Sequence, residues 1–280
     1  MLINNLKSFK YRFLCWARDF LVTHGRHYPW PRRLHSRMYS WEKFYKNTDI
    51  KRVNLGAGPY FNKDGWITVD LISDPKYAVS RRNYIASRLG DEKLTVSNID
   101  ICYTSHFLEH LNINQGAGLI KSVFAGMNSG GIFRIVVPDA KLVLERYLED
   151  DLQWFEPIMP ILRSDGVEFN IENSVLVILC QAQLRNPEAL KLLRGLSNVD
   201  GIEELAIRIN MLSKDLDNDE EGRMHLTSYT PNILMQALRN AGFSKVYQSF
   251  FMGSRSPEMR EAPIFDGTHP WLSLYIEAIK

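Results

Sequence analysis

At 280 residues, with 24% charged and 45% hydrophobic side chains, the chain reads as one substantial domain with additions rather than two equal domains. It contains no run of about 18 or more apolar residues that could span a bilayer. Lys7, Lys10, Arg12 and Arg18 interrupt each apolar stretch that could serve as a secretory leader, so a cytoplasmic location is expected. The net charge of +2 hides an asymmetry: residues 1–46 hold ten Lys or Arg against Asp19 and Glu42, a balance of +8, which leaves −6 for the remainder and argues against nucleic acid as a partner of that remainder.

In chain order, Leu2, Leu6, Phe9, Phe13, Trp16 and Phe20 recur at spacings of three and four, which predicts an amphipathic helix with basic residues around the rest of its girth. Tyr28 to Arg33 then carries two prolines and predicts a linker. Residues 1–46 are therefore expected to form a basic arm. Its apolar face has two open occupants: an anionic membrane surface at the inner membrane face, or the remaining domain or a second subunit. From 47 to 280 a different rhythm sets in, short apolar runs alternating with helical stretches, the pattern of a parallel sheet with helices on its faces. Strands are expected at Arg52–Leu55, Trp66–Asp70, Ile99–Thr104 and Ile132–Val137, and helices at Gln115–Met127 and Ala140–Glu149. Residues 151–222 break the rhythm with Leu-rich sequence and an acidic stretch, and read as an inserted helical cap. A helix at Pro231–Ala241, a strand at Lys245–Phe250 and a last strand at Leu272–Ile279 complete the domain. Cys15, Cys102 and Cys180 form no CxxC pair and are expected to be small buried hydrophobes in a reducing compartment.

The first strand runs into Gly56-Ala57-Gly58, a turn that brings backbone close to a ligand, and the second ends in Asp70, where a carboxylate can accept hydrogen bonds from two ribose hydroxyls. The third glycine of GxGxxG is missing, so no pyrophosphate cradle is expected and a dinucleotide is disfavoured. A nucleoside without phosphates fits this combination.

Taken together, Val53 to Gly58, Gly65 to Asp70, Ile99 to Leu111 with its "LEHL", Asn128 to Asp139 with its Gly130-Gly131 turn, and Ala241-Gly242-Phe243 resemble the ordered motifs of class I S-adenosylmethionine-dependent methyltransferases. The resemblance implies an α/β Rossmann-like seven-stranded methyltransferase sheet whose last strand is antiparallel, with S-adenosyl-L-methionine as cofactor held by Asn54, Gly56, Ala57, Gly58, Asp70, Ser105 and His106. It departs from the family at Asn54, near a position that is often acidic, and residues 80–97 show no adenine-contacting pattern. "LEHL", the helical insertion and a His-aromatic segment before the penultimate helix are similar to small methyltransferases of bacterial surface-polysaccharide pathways. That implies a sugar hydroxyl as acceptor. A lipid-like or other small molecule as acceptor, and a SAM-binding protein without turnover, remain the alternatives; the oligomeric state is open.

Methyl transfer from a sulfonium is an in-line displacement, so positioning dominates and a base helps when the acceptor is a hydroxyl. His225 and His110 are the candidates. His225 is preferred on position, because it stands at the junction of the cap with the core, whereas His110 lies beyond strand four. Glu109 is read as capping or orienting the helix that follows. A metal is not expected, since His106 and His110 do not form HExxH and no third ligand follows at a recognisable spacing.

Overall fold

The computed structural model describes residues 50–58, 61, 63–70, 83–217, 224–261 and 264–280. The basic arm, its linker and Cys15 lie outside the described residues. Seven strands form one sheet: β1 (Arg52–Leu55), β2 (Trp66–Asp70), β3 (Tyr84–Ala86), β4 (Ile99–Ser105), β5 (Met127–Pro138), β6 (Lys245–Gln248) and β7 (Ser273–Ile279), in the order β3-β2-β1-β4-β5-β7-β6. β1 to β5 pair in parallel, and β7 runs antiparallel to both β5 and β6. The expected seven-stranded sheet with an antiparallel last strand is borne out.

Two strands differ from expectation at one end by several residues, and one strand is additional, for local reasons. β5 begins at Met127 rather than Ile132, because Met127 pairs with Ile99 ahead of an irregularity in the β4 register, and Gly130 and Gly131 exchange hydrogen bonds with Lys280. β6 stops at Gln248, where Ser249 turns to bond the Gly253 carbonyl. β3 was not anticipated, being three residues without a burial alternation strong enough to read.

Helix α1 (Ile113–Gly126) joins β4 to β5 and opens with a capping box, Asn112 accepting from the Gln115 N–H while the Gln115 side chain accepts from the Asn112 N–H. That box starts the helix two residues before the expected Gln115. Helix α2 (Ala140–Leu148) follows β5, capped by Asp139. Residues 152–213 are mostly helical, with α3 (Met159–Ser164), α4 (Ile171–Cys180), α5 (Pro187–Arg194) and α6 (Ile202–Ser213). Helix α7 (Pro231–Ala241) has the three signals that made its ends readable: Thr230 as N-cap, Pro231 in the first turn and Gly242 left-handed at φ +111° after the last.

Apolar residues separate into distinct clusters. One face of the sheet, with Val53, Leu55, Cys102 and Phe133, packs on Leu119, Ile120 and Val123 of α1 and Leu234 and Leu238 of α7. A second cluster holds α2 against α3–α6 through residues such as Leu144, Phe155, Leu176, Leu193 and Ile209, with Cys180 among them. The opposite sheet face is covered by the β6–β7 connection, whose Met259 and Phe265 sit on Trp66, Tyr103, Val136 and Tyr275. Each fully buried Leu, Val or Phe of this kind contributes roughly 1.5–3 kcal/mol.

A fully buried charge network ties that connection down. Arg134 of β5 reaches Asp266 with two nitrogens at 3.0 and 2.6 Å, the Phe250 carbonyl at 2.8 Å and Glu277 at 3.3 Å. Arg134 and Glu277 are register partners across β5 and β7, so the strand pairing itself places opposite charges together. Among the described residues no helix is long and apolar enough to cross a membrane.

Candidate functional site

The strand order reverses between β1 and β4, and in open α/β sheets ligands bind beyond the carboxyl ends of the strands at such a point. Here β1 turns through Gly56 at φ +61° and Gly58 at φ +63°, left-handed values that L side chains adopt only at a cost. The turn is clipped to β2 at two places: the Gly56 N–H donates to the Val69 carbonyl at 2.9 Å, and the Gly58 N–H to Asp70 Oδ2 at 2.7 Å. Asp70 therefore holds the turn, and a carboxylate offers about four acceptor positions in all. Gly56 is required for a second reason. A Cβ there would stand 2.0 Å from Phe107 Cγ, so the β4 exit packs directly over the glycine turn.

Among the described residues of 56–65 none is helical. The central strands bury polar atoms without a partner among the described residues: Asn54 Oδ1 on β1, and Thr104 Oγ1 and Ser105 Oγ on β4. A buried polar atom left unpaired costs about 1–3 kcal/mol.

His106 leaves β4 at φ +48°, an uncommon conformation for a non-glycine residue. Both ring nitrogens are engaged: Nε2 lies 2.8 Å from Ser273 Oγ, and Nδ1 3.2 Å from Glu109 Oε1. The contact sequence reasoning missed is the one Glu109 makes. Its backbone carbonyl accepts from the N–H groups of Leu226 at 2.7 Å and Thr227 at 3.1 Å, the Thr227 hydroxyl donates to the Leu111 carbonyl, and His110 Nδ1 faces the Met224 carbonyl at 3.2 Å. The "LEHL" turn, a short 3-10 turn at Leu108–His110, is thereby stitched to the segment bearing His225.

His110 and His225 consequently stand edge to face with ring centroids 4.7 Å apart. Their separation along the chain does not distinguish them, and the positional argument for preferring His225 falls away. His225 Nδ1 lies 2.6 Å from the Ile178 carbonyl and so donates to it, which puts the lone pair on Nε2. Burial lowers His225 to about 4, outweighing the pull of the Glu109 charge, so the ring is neutral near pH 7. Glu109 is only 1% exposed; burial raises it, but the hydrogen bond and charge of His106, then His110 and His225, hold it at about 2. His106 is the largest of the lowering causes. Asp139, closing β5, is pushed up to about 6 by burial, against the Leu142 and Lys141 N–H groups that favour its charge.

The structure thus gathers the predicted residues into two adjoining groups. Asn54, Gly56, Ala57, Gly58, Asp70 and Ser105 stand at the ends of β1, β2 and β4, and His106, Glu109, His110 and His225 meet beside them. Residues 105–107 link the two, because Phe107 covers Gly56 while His106 pairs with Glu109.

No protein-family model and no curated protein matches the chain. Among solved structures it is similar to a SAM-dependent methyltransferase from Archaeoglobus fulgidus, at 16% identity over 89% of this chain and 94% of that one, with a TM-score of 0.42. An S-adenosylmethionine-dependent methyltransferase from Mesorhizobium loti gives 15% identity over 82% and 91%, with a TM-score of 0.42. A candidate O-methyltransferase from Nostoc punctiforme gives 11% identity and a TM-score of 0.37; 88% of this chain is covered, but it spans only 56% of that protein's length.

Proposed function

We propose that this chain is a SAM-dependent methyltransferase acting on a hydroxyl, of a sugar or related surface-glycan group. One observation carries the cofactor assignment: the glycine turn and Asp70 form a single hydrogen-bonded unit at the topological switch point, and the strands on either side of it carry the unpartnered Asn54 Oδ1, Thr104 Oγ1 and Ser105 Oγ. A nucleoside with a polar amino-acid tail suits these groups: Asp70 takes ribose hydroxyls, while Asn54, Thr104 and Ser105 meet the polar tail. When bound, S-adenosyl-L-methionine supplies an electrophilic methyl group. The protein's task is then to orient the acceptor, exclude water and receive a proton. A neutral ring and the lone pair on Nε2 support His225 as the group that receives it, with the ionised Glu109 stabilising the imidazolium as it forms. The sugar acceptor is supported by the sequence resemblance and by this proton-accepting group, which a hydroxyl nucleophile uses.

Titration of S-adenosylhomocysteine into the protein and into Asp70→Ala tests the reading. Charge-assisted hydrogen bonds are worth roughly 1.5–3 kcal/mol each, so affinity should fall at least about tenfold in a variant that circular dichroism shows to be folded. Unchanged affinity would remove Asp70 from the site, and absence of binding to the wild type would remove the cofactor.

A further inference from the structure

We infer that Glu109, His110 and His225 form a three-ligand site for one divalent transition-metal ion of the zinc and iron class, with a coordination position left open. The sequence argument against a metal rested on the want of a third ligand near His106 and His110. The fold supplies it from the far side of the 152–213 helices: one donor atom from each of Glu109, His110 and His225 lies within 4.8 Å of the other two.

The surroundings are those that metal ligands need. A ligating histidine donates its other ring N–H to a carbonyl or carboxylate, which fixes its orientation. His225 Nδ1 does so to Ile178 at 2.6 Å, and His110 Nδ1 to Met224 at 3.2 Å. Glu109 is buried with Oε1 3.2 Å from His106 Nδ1, and neither of its carboxylate oxygens has a hydrogen-bond partner among the described residues. A carboxylate oxygen at 1% exposure, unsatisfied and surrounded by imidazoles, is an acceptor waiting for a cation. His106 is then the outer-shell partner that orients the carboxylate, itself held by Ser273.

The donor set also selects the ion. Magnesium and calcium take oxygen ligands, whereas two imidazoles and one carboxylate suit zinc or ferrous iron. Bonds of about 2.0–2.1 Å to a tetrahedral ion put donor atoms about 3.4 Å apart, so the three side chains draw together by an ångström or so on loading. Three protein ligands leave room for an oxygen. That the open position takes the acceptor hydroxyl and lowers its pKa is a role that rests on the proposed function; binding of the ion does not. With an ion present the His225 lone pair is a ligand, and deprotonation passes from base to metal.

The test uses the full chain, stripped with chelator and titrated with Zn²⁺, and with Co²⁺ for its visible spectrum. One saturable equivalent is expected. Losing an outer-shell partner typically costs about 10–100-fold in affinity, so His106→Ala should fall in that range and His225→Ala and Glu109→Gln beyond it. Circular dichroism reports that each variant is folded, and S-adenosylhomocysteine, titrated in the same samples, should still bind His225→Ala and Glu109→Gln. Wild-type protein that takes up no stoichiometric ion, or uptake that survives at full strength in both His225→Ala and Glu109→Gln, overturns the site. Either result with cofactor binding intact leaves the proposed function standing, and metal binding without cofactor does the reverse.

Discussion

Replacing Glu109 with glutamine keeps the shape of the side chain and removes its charge. In the fold Glu109 is held at about 2 against an ordinary 4.5, because His106 above all outweighs the cost of burial. A carboxylate whose pKa is depressed on folding adds stability that is whole above the unfolded value and is lost as pH falls through the folded one. At about 1.4 kcal/mol per pH unit this displacement corresponds to about 3 kcal/mol at pH 7, shrinking to about 1 kcal/mol near pH 3. For a domain of this size about 3 kcal/mol lowers Tm by roughly 6–12 °C. Urea and thermal denaturation of wild type and Glu109→Gln, with chelator present, should therefore show the variant less stable at pH 7 and the gap closing on acidification. Burial alone would favour the neutral amide. A variant as stable as wild type at pH 7 would mean that desolvation wins and that His106 does not hold the carboxylate ionised.

Three further outcomes are expected. Gly56→Ala combines a left-handed backbone with a Cβ 2.0 Å from Phe107 Cγ, whereas Gly58→Ala meets nothing within 4 Å among the described residues. The second should cost about 1–2 kcal/mol for the backbone alone, the first clearly more, and Phe107→Ala in the same chain should recover part of the difference by denaturant titration. Asp139 is raised by burial to about 6, so its charged form burdens the fold as pH rises from about 4 past 6. Asparagine caps a helix equally well, and Asp139→Asn should gain about 1–3 kcal/mol at pH 8 and nothing at pH 4; a loss at pH 8 would give the charge a role this account lacks. His225→Ala should cut turnover by about 10²–10⁴-fold while cofactor affinity is kept. Because burial holds His225 at about 4, the acid limb of the metal-free wild type should fall below pH 5, and a limb at the ordinary 6.5 would show the ring solvated during turnover.

Much of the sheet was legible because its strands are near-continuous apolar runs ended by strong punctuation. Val53 to Gly58 and Trp66 to Asp70 are examples, and Pro231 to Gly242 carries both cap signals of its helix. The glycine turn and Asp70 were legible for the same reason, as they sit at the ends of two neighbouring strands within one short stretch. The histidine group was not, because His110 and Met224 are brought together across 114 positions by backbone bonds that no local pattern announces. One buried feature did leave a trace. Arg134 interrupts Ile132 to Val137 and Glu277 interrupts Leu274 to Ile279, and opposite charges inside two apolar strands of one sheet point to a cross-strand pair.

The sheet and the 152–213 helices keep largely separate apolar clusters, and the site draws on both. Asp70 and the glycine turn are fastened within the sheet. His225 hangs from the Ile178 carbonyl, while Ser228 is held by Leu179 and Asn210, all three in the helical part. Proteins open in units that follow such divisions, and ligand binding shields only states that keep its site intact. Amide exchange should then show helices α3–α6 opening below the global unfolding energy, and cofactor should slow exchange in β1, β2 and β4 far more than in α4. A cell holding such half-opened molecules would contain protein that still captures cofactor, resists denaturation by virtue of it, and performs no chemistry.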